Sequence, residues 1–182
     1  MSDVLTYGNE VIKPYLDIDK IAARVAELGR EISAMPETER PMIFVCVLKG
    51  SFMFFADLLK AVERPSNVGF LAVSSYEGGT KSTGAVRLAL DLTEDINDRD
   101  VIIVEDIVDT GLTMDYLLNM LLARRPRSLK VCTLLHKPAR EKIAVPLDFV
   151  GFTIDDVFVV GYGLDYEQRY RDLPFIGVMS FN

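Results

Sequence analysis

Apolar positions along this chain recur with two periods, and the elements follow from them. In "DIDKIAARVAELGREI" the residues Ile18, Ile21, Val25, Leu28 and Ile32 fall three and four apart, the stripe of an amphipathic helix. "PMIFVCVLK" (41–49), "NVGFLAVSSY" (67–76), "VIIVED" (101–106) and "SLKVCTLL" (128–135) are short, nearly continuous apolar runs rich in β-branched residues, the pattern of strands buried on both faces. "AVRLALDL" (85–92) alternates instead, with Val86, Leu88, Leu90 and Leu92 on one side, which predicts a half-exposed antiparallel strand. Helices are predicted over "SFMFFADLLKAV" (51–62) and from about Leu112 to Ala123. "DFVGFTI" (148–154), "VFVVGYG" (157–163) and the terminal "PFIGVMSFN" complete the set of strands, and "EGGTKSTG" (77–84) is a polar, glycine-bearing loop.

Buried strands alternating with helices predict one α/β domain over 1–182, a central parallel sheet flanked by helices on both faces. Ligands of such sheets bind beyond the carboxyl ends of the strands. That rule directs attention to Leu48–Gly50, Ser74–Gly84, Glu105–Thr113, His136–Pro138 and Gly161–Arg171.

Composition narrows the function classes. At 182 residues and 49% hydrophobic, the chain can bury a sizeable core. It contains no run of about 18 apolar residues, so no membrane span is expected. "MSDVLTYGNEVIKPYL" lacks the form of a signal peptide, and a bacterial-type cytoplasmic protein is the plain reading. A net charge of −7 argues against a nucleic-acid partner, which calls for a basic face. Small phosphorylated ligands stay open, because backbone N–H groups and a metal can hold them. Cys46 and Cys132 both sit in apolar runs and read as reduced core thiols; with no Cys/His cluster, a zinc site is not expected.

"VIIVEDIVDTGLTM" (101–114) concentrates the chemistry. Asp109 to Thr113 precedes a helix, whose first N–H groups are unpaired and carry partial positive charge. Gly111 admits a close ligand and Thr110 and Thr113 add hydroxyls, so the segment suits a phosphate. An ordinary helix start capped by Asp109 or Thr110 fits the pentad equally well. Glu105 and Asp106 change the balance. Two adjacent acids leaving an apolar strand are costly unless solvated, paired or bound. Beside a phosphate they make sense if the ligand carries sugar hydroxyls next to its phosphate, or a divalent cation. Elsewhere the residues alone are ambiguous. Lys49 suits an exposed lysine, Lys137 a lysine reaching out from a strand end, and Phe158 a core position.

"VIIVEDIVDTGLT" resembles the phosphoribosyl pyrophosphate motif of the type I phosphoribosyltransferases. "VLKGSFMFFADL" (47–58), "SSYEGGTKSTG" (74–84), "LLHKPAR" (134–140) and "FVVGYGLDYEQRYRDLPFIG" (158–177) resemble, in order, segments of the hypoxanthine-guanine phosphoribosyltransferases. The resemblance implies the type I fold, with a small hood from the N-terminal segment and about 155–182, and a mobile antiparallel flap over about 74–92. It implies a magnesium-dependent purine-salvage reaction in which hypoxanthine or guanine displaces pyrophosphate from phosphoribosyl pyrophosphate, giving IMP or GMP. Glu105 and Asp106 would then hold the ribose hydroxyls and magnesium, and Thr110, Gly111, Leu112 and Thr113 the 5′-phosphate. Asp109 would sit near purine N7 as general base or charge stabiliser. Lys49 and Gly50, following a cis Leu48–Lys49 peptide, would bind pyrophosphate together with Arg171. Lys137 would donate to purine O6, Phe158 would stack on the ring and Val159 would offer backbone groups to its edge. Asp165 would stand at the purine side and bind a second magnesium. Ser75 and Tyr76 would close over the reacting centre. A homodimer or homotetramer is also implied. Many bacterial relatives carry a lysine where this chain has Leu90.

Two rivals remain in view. A regulator on the same fold would bind phosphoribosyl pyrophosphate as a signal, usually beside a nucleic-acid surface that this acidic chain lacks. A P-loop protein would need GxxxxGK[ST] between strand and helix, and "GGTKSTG" has neither the spacing nor the context. His136, the sole histidine, is not expected to act as a base.

Overall fold

A computed structural model of the protein describes residues 4–36, 38–75 and 86–182. Along the chain run β1 (Leu5–Tyr7), β2 (Glu10–Leu16), α1 (Ile18–Ser33), β3 (Met42–Leu48), α2 (Phe52–Ala61), β4 (Ser66–Ser75) and β5 (Val86–Leu90). Then come β6 (Asp100–Val108), α3 (Leu112–Leu122), β7 (Ser128–His136), β8 (Phe149–Thr153), β9 (Val159–Val160) and β10 (Ile176–Phe181). Six strands form the main sheet in the order β5-β4-β3-β6-β7-β8. All neighbours in it are parallel except β5, which runs antiparallel to β4. A second sheet, β1-β2-β10-β9, is antiparallel and joins the start of the chain to its end.

The two faces of β3 show why the central strands are apolar throughout. Phe44 and Cys46 point to one face and pack with α1 and α2 through Ile21, Leu28, Phe54 and Leu58. Ile43, Val45 and Val47 point to the other and pack with Leu117 and Leu121 of α3. Both cysteines are free and buried, and burial pushes the Cys46 thiol up to about 11, so neither is a thiolate at neutral pH.

Three sequence expectations are corrected. Ile18 belongs to the α1 stripe but stands exposed at the first helical position, ahead of the turn that meets the sheet. The alternating pattern places Leu90 on the face of Leu88, yet the pairing shifts there: Val73 faces Leu88 and Ala72 faces Leu90. The extra residue, Ala89, turns Leu90 to the opposite face, where it is exposed, while Leu92 is buried. The strand expected over 157–163 is limited to Val159–Val160, because Gly161, Tyr162 and Gly163 all take positive φ.

Candidate active site

β6 runs two residues further than expected, so Glu105 and Asp106 lie inside the strand and not at its end. They still reach the cleft, because β3 pairs with β6 only as far as Val104. Past that point the edge of β6 that β3 covered is open. The N–H of Asp106 donates to the Glu105 carboxylate (3.3 Å) and the N–H of Ile107 to the Asp106 carboxylate (2.8 Å), so each acid folds back on the backbone of the next residue. Burial, with the negative charge of Asp106 beside it, raises Glu105 well above the usual carboxylate range, and burial raises Asp106 as well.

The next segment decides between a capped helix and a phosphate cradle. The residue flanking α3 is Gly111, at φ +79°, and no side chain caps the helix. The first-turn N–H groups are therefore left for a ligand. Any larger residue at 111 would be strained, and its β-carbon would stand 2.1 Å from the carbonyl of Ile143. That carbonyl belongs to a segment laid along the loop: Lys142 and Ile143 both donate backbone bonds to Thr110 O (3.0 and 3.2 Å).

A second helix is presented in the same way. The Leu48–Lys49 peptide is cis, Lys49 is exposed, and α2 starts two residues after Gly50 with no side-chain cap. The Ser51 hydroxyl turns back to Val47 O (2.6 Å). Gly50 is pressed between Asp106 and the loop that follows β9, where a β-carbon on Gly163 would stand 2.0 Å from the Gly50 carbonyl. On that loop Arg171 pairs with Asp165 (2.7 Å) and donates to Gly163 O (2.7 Å).

These residues line a cleft with two lobes. One, of about 280 Å³, is bounded by Asp109, Thr110, Gly111 and Thr113. The other, of about 270 Å³, is bounded by Lys49, Gly50, Asp165 and Arg171. Glu105, Ile107 and Thr113 line both, and Asp106 lines the second. Neither lobe includes Lys137, Phe158 or Val159. Lys137 is 6% exposed, pairs with no carboxylate among the described residues, and ties its N–H to Val108 O (2.9 Å), one residue before Asp109. Phe158 is half exposed and meets Tyr166 edge-on, so it is not a core residue, whereas Val159 is buried. His136 lines neither lobe, and its Nε2 is buried without a partner among the described residues. Ser75 ends β4, and Tyr76 lies outside the described residues.

Residues without a marked role in the sequence also shape the site. Arg140 Nε lies 3.0 Å from Asp109 Oδ1. Glu10, buried on β2, accepts from Arg169 (2.5 Å) and from the Tyr170 hydroxyl, and so braces the turn that carries Arg171. No local sequence signal marks these contacts, since each joins distant segments.

The acids suit a magnesium ion of a particular kind. Among the described residues no group of three or more His, Cys, Asp or Glu could hold a metal alone. Two adjacent carboxylates, both raised by burial, fit a magnesium ion that takes its remaining ligands from water and substrate phosphates.

Comparison with known proteins agrees with the geometry. A family model for the phosphoribosyl transferase domain matches residues 12–167. The hypoxanthine-guanine phosphoribosyltransferase of Mycobacterium avium is 49% identical over 179 residues, covering 96% of this chain and 88% of that protein. The hypoxanthine phosphoribosyltransferase of Escherichia coli K12 is 50% identical over 159 residues, covering 87% and 89%. A solved hypoxanthine phosphoribosyltransferase from Staphylococcus aureus superposes with a TM-score of 0.86 at 42% identity, covering 92% of this chain and 91% of that one.

Proposed function

This chain belongs to the phosphoribosyltransferase family, and on that premise we propose that it is a hypoxanthine phosphoribosyltransferase of purine salvage. It transfers the 5-phosphoribosyl group of phosphoribosyl pyrophosphate to hypoxanthine, guanine or both, giving IMP or GMP and pyrophosphate. The observation that carries the assignment is the two-lobed cleft with acids at its waist. Phosphoribosyl pyrophosphate has a phosphate at one end, a pyrophosphate at the other and ribose hydroxyls between them. The α3 lobe suits the first, the Lys49–Arg171 lobe the second, and Glu105 and Asp106 the hydroxyls.

The remaining roles follow from chemistry. Thr110, Gly111, Leu112 and Thr113 hold the 5′-phosphate through backbone N–H groups and hydroxyls. Lys49, Gly50 and Arg171 receive the pyrophosphate, the planar guanidinium suiting its oxygens. Magnesium, when bound, supplies positive charge to the departing pyrophosphate; Glu105 and Asp106 would hold one ion and Asp165 a second. Lys137 donates to purine O6; an ammonium has donors and no acceptor, so a 6-amino group meets it unfavourably. Phe158 covers the ring face, Val159 offers backbone groups to the purine edge, and Asp109 takes or stabilises the N7 proton. Ser75 and Tyr76 shield the reacting centre from water.

A homodimer or homotetramer in the cytoplasm is part of the proposal. The exposed apolar side chains Phe52, Val68 and Phe70 give a surface that suits a second copy.

The test is turnover followed by ultraviolet absorbance, with phosphoribosyl pyrophosphate and magnesium, offering hypoxanthine, guanine, xanthine and adenine in parallel. Turnover of 6-oxopurines and not of adenine supports the assignment and ranks the bases. Tight binding of phosphoribosyl pyrophosphate without turnover of any base would favour the regulator.

A further inference from the structure

We infer that Arg140 is a positioning residue that fixes the Asp109 carboxylate and links it to the purine wall, an inference that rests on the function proposed above. Arg140 lies in the 3-10 turn Pro138–Arg140, three residues after Lys137. Its Nε stands 3.0 Å from Asp109 Oδ1, and its Nη1 stands 3.5 Å from Asp156 Oδ1. Asp156 is two residues ahead of Phe158, so one guanidinium spans the phosphate loop and the segment proposed to hold the purine.

Asp109 Oδ1 is shut off from solvent and accepts no hydrogen bond among the described residues. A buried carboxylate oxygen in that state calls for a compensating charge, and Arg140 is the cation beside it. Asp109 Oδ2 makes no hydrogen bond among the described residues either, so the ion pair of Oδ1 with Arg140 is the contact that sets the carboxylate apart, and Oδ2 is left for a ligand. The backbone around the pair is zipped as well, with Lys137 N–H on Val108 O and Lys142 N–H on Thr110 O flanking it on both sides. Arg140, Asp109 and Asp156 are each a third or more exposed, so the ion pairs add little to stability. Their effect is orientation: Arg140 occupies the Oδ1 side of the carboxylate, which leaves Oδ2 for the purine, and ties the phosphate loop to the segment of Asp156. A planar fork can bridge two carboxylates in this way, and a lysine ammonium cannot hold the same geometry.

The experiment is a double-mutant cycle on steady-state rates with hypoxanthine. Arg140→Gln is expected to lower kcat about ten- to a hundredfold, the scale of a small misplacement of a reacting group. Its KM for phosphoribosyl pyrophosphate should stay near wild type, and Arg140→Lys should recover part of the loss. In an Asp109→Asn background, Arg140→Gln should change the residual rate by less than about twofold, because its partner is already disabled. Asp156→Asn, which cuts only the second arm, should raise the KM for hypoxanthine and leave that for phosphoribosyl pyrophosphate unchanged. This variant carries the test should Arg140→Gln not fold. An unaltered kcat in Arg140→Gln, an equal loss in both backgrounds, or an unaltered hypoxanthine KM in Asp156→Asn would overturn the inference. A wild-type protein that turns over no purine would instead overturn the proposed function.

Discussion

Gly50 and Asp106 touch so closely that a β-carbon on residue 50 would stand 1.6 Å from Asp106 Oδ2. The contact joins the loop proposed for pyrophosphate to the acid pair proposed for ribose and magnesium, so any side chain at residue 50 pushes on the Asp106 carboxylate. Gly50→Ala must displace one of them. It is expected to lower kcat/KM for phosphoribosyl pyrophosphate by about a hundredfold, the scale of a misplacement near 1 Å. Steady-state kinetics on the variant, with circular dichroism to show an intact fold, checks this.

Lys137 is buried beside the site with its ammonium unpaired among the described residues. A hydrogen bond from a charged donor contributes about 1.5–3 kcal/mol, or roughly ten- to two-hundredfold in affinity. Lys137→Gln should raise the KM for hypoxanthine by about that factor and narrow the preference for hypoxanthine over adenine. Competition between the two bases in one reaction reads the preference directly.

Glu105 and Glu10 should respond to pH with opposite signs. Burial and Asp106 raise Glu105 in the folded protein, so its ionisation opposes folding, and that penalty grows as pH rises from the ordinary carboxylate range through the raised value. Glu105→Gln should therefore melt higher than wild type near neutral pH, and the gap should close in acid. For a protein of this size, about 1 kcal/mol corresponds to about 2–4 °C. Thermal melts across pH 4 to 8, without magnesium, measure it.

For Glu10 the Tyr170 hydroxyl, helped by Arg169, holds the carboxyl below its usual range against the effect of burial. Its stabilisation is complete above the ordinary carboxylate range and is lost as pH falls through the lowered value. Glu10→Gln should melt lower than wild type at neutral pH, with the difference vanishing in acid. Because Glu10 braces the turn that carries Arg171, pyrophosphate affinity should fall several-fold while purine affinity changes less. Calorimetric titration with each ligand separates the two.

Legibility followed the range over which each signal acts. The apolar run Val101–Val104, the acids after it and the start of α3 at Leu112 are local features, and they marked the cleft. Whether Asp109–Thr113 was a capped helix start or a cradle was not local; it needed the observation that Gly111 flanks the helix and no side chain caps it. Leu90 went astray because a bulge reverses faces without disturbing the alternating pattern. Residues 157–163 read as one strand because their apolar character hides the left-handed turn at Tyr162. The brace between Glu10 and Arg169 joins positions 159 residues apart, and only the folded chain brings them together. Lys49, Lys137 and Phe158 looked like ordinary surface or core residues, and only their resemblance to a family distinguished them.

On the proposed function, Asp109 handles the purine proton while the cleft around it binds phosphoribosyl pyrophosphate. Initial rates with hypoxanthine, and phosphoribosyl pyrophosphate affinity, for wild type and Asp109→Asn test it most directly. General acid–base catalysis contributes about a hundred- to ten-thousandfold. Turnover lowered by that factor, with phosphoribosyl pyrophosphate still bound to within about threefold and an unchanged melt, is the result expected. A variant that turns over hypoxanthine at the wild-type rate would contradict the account.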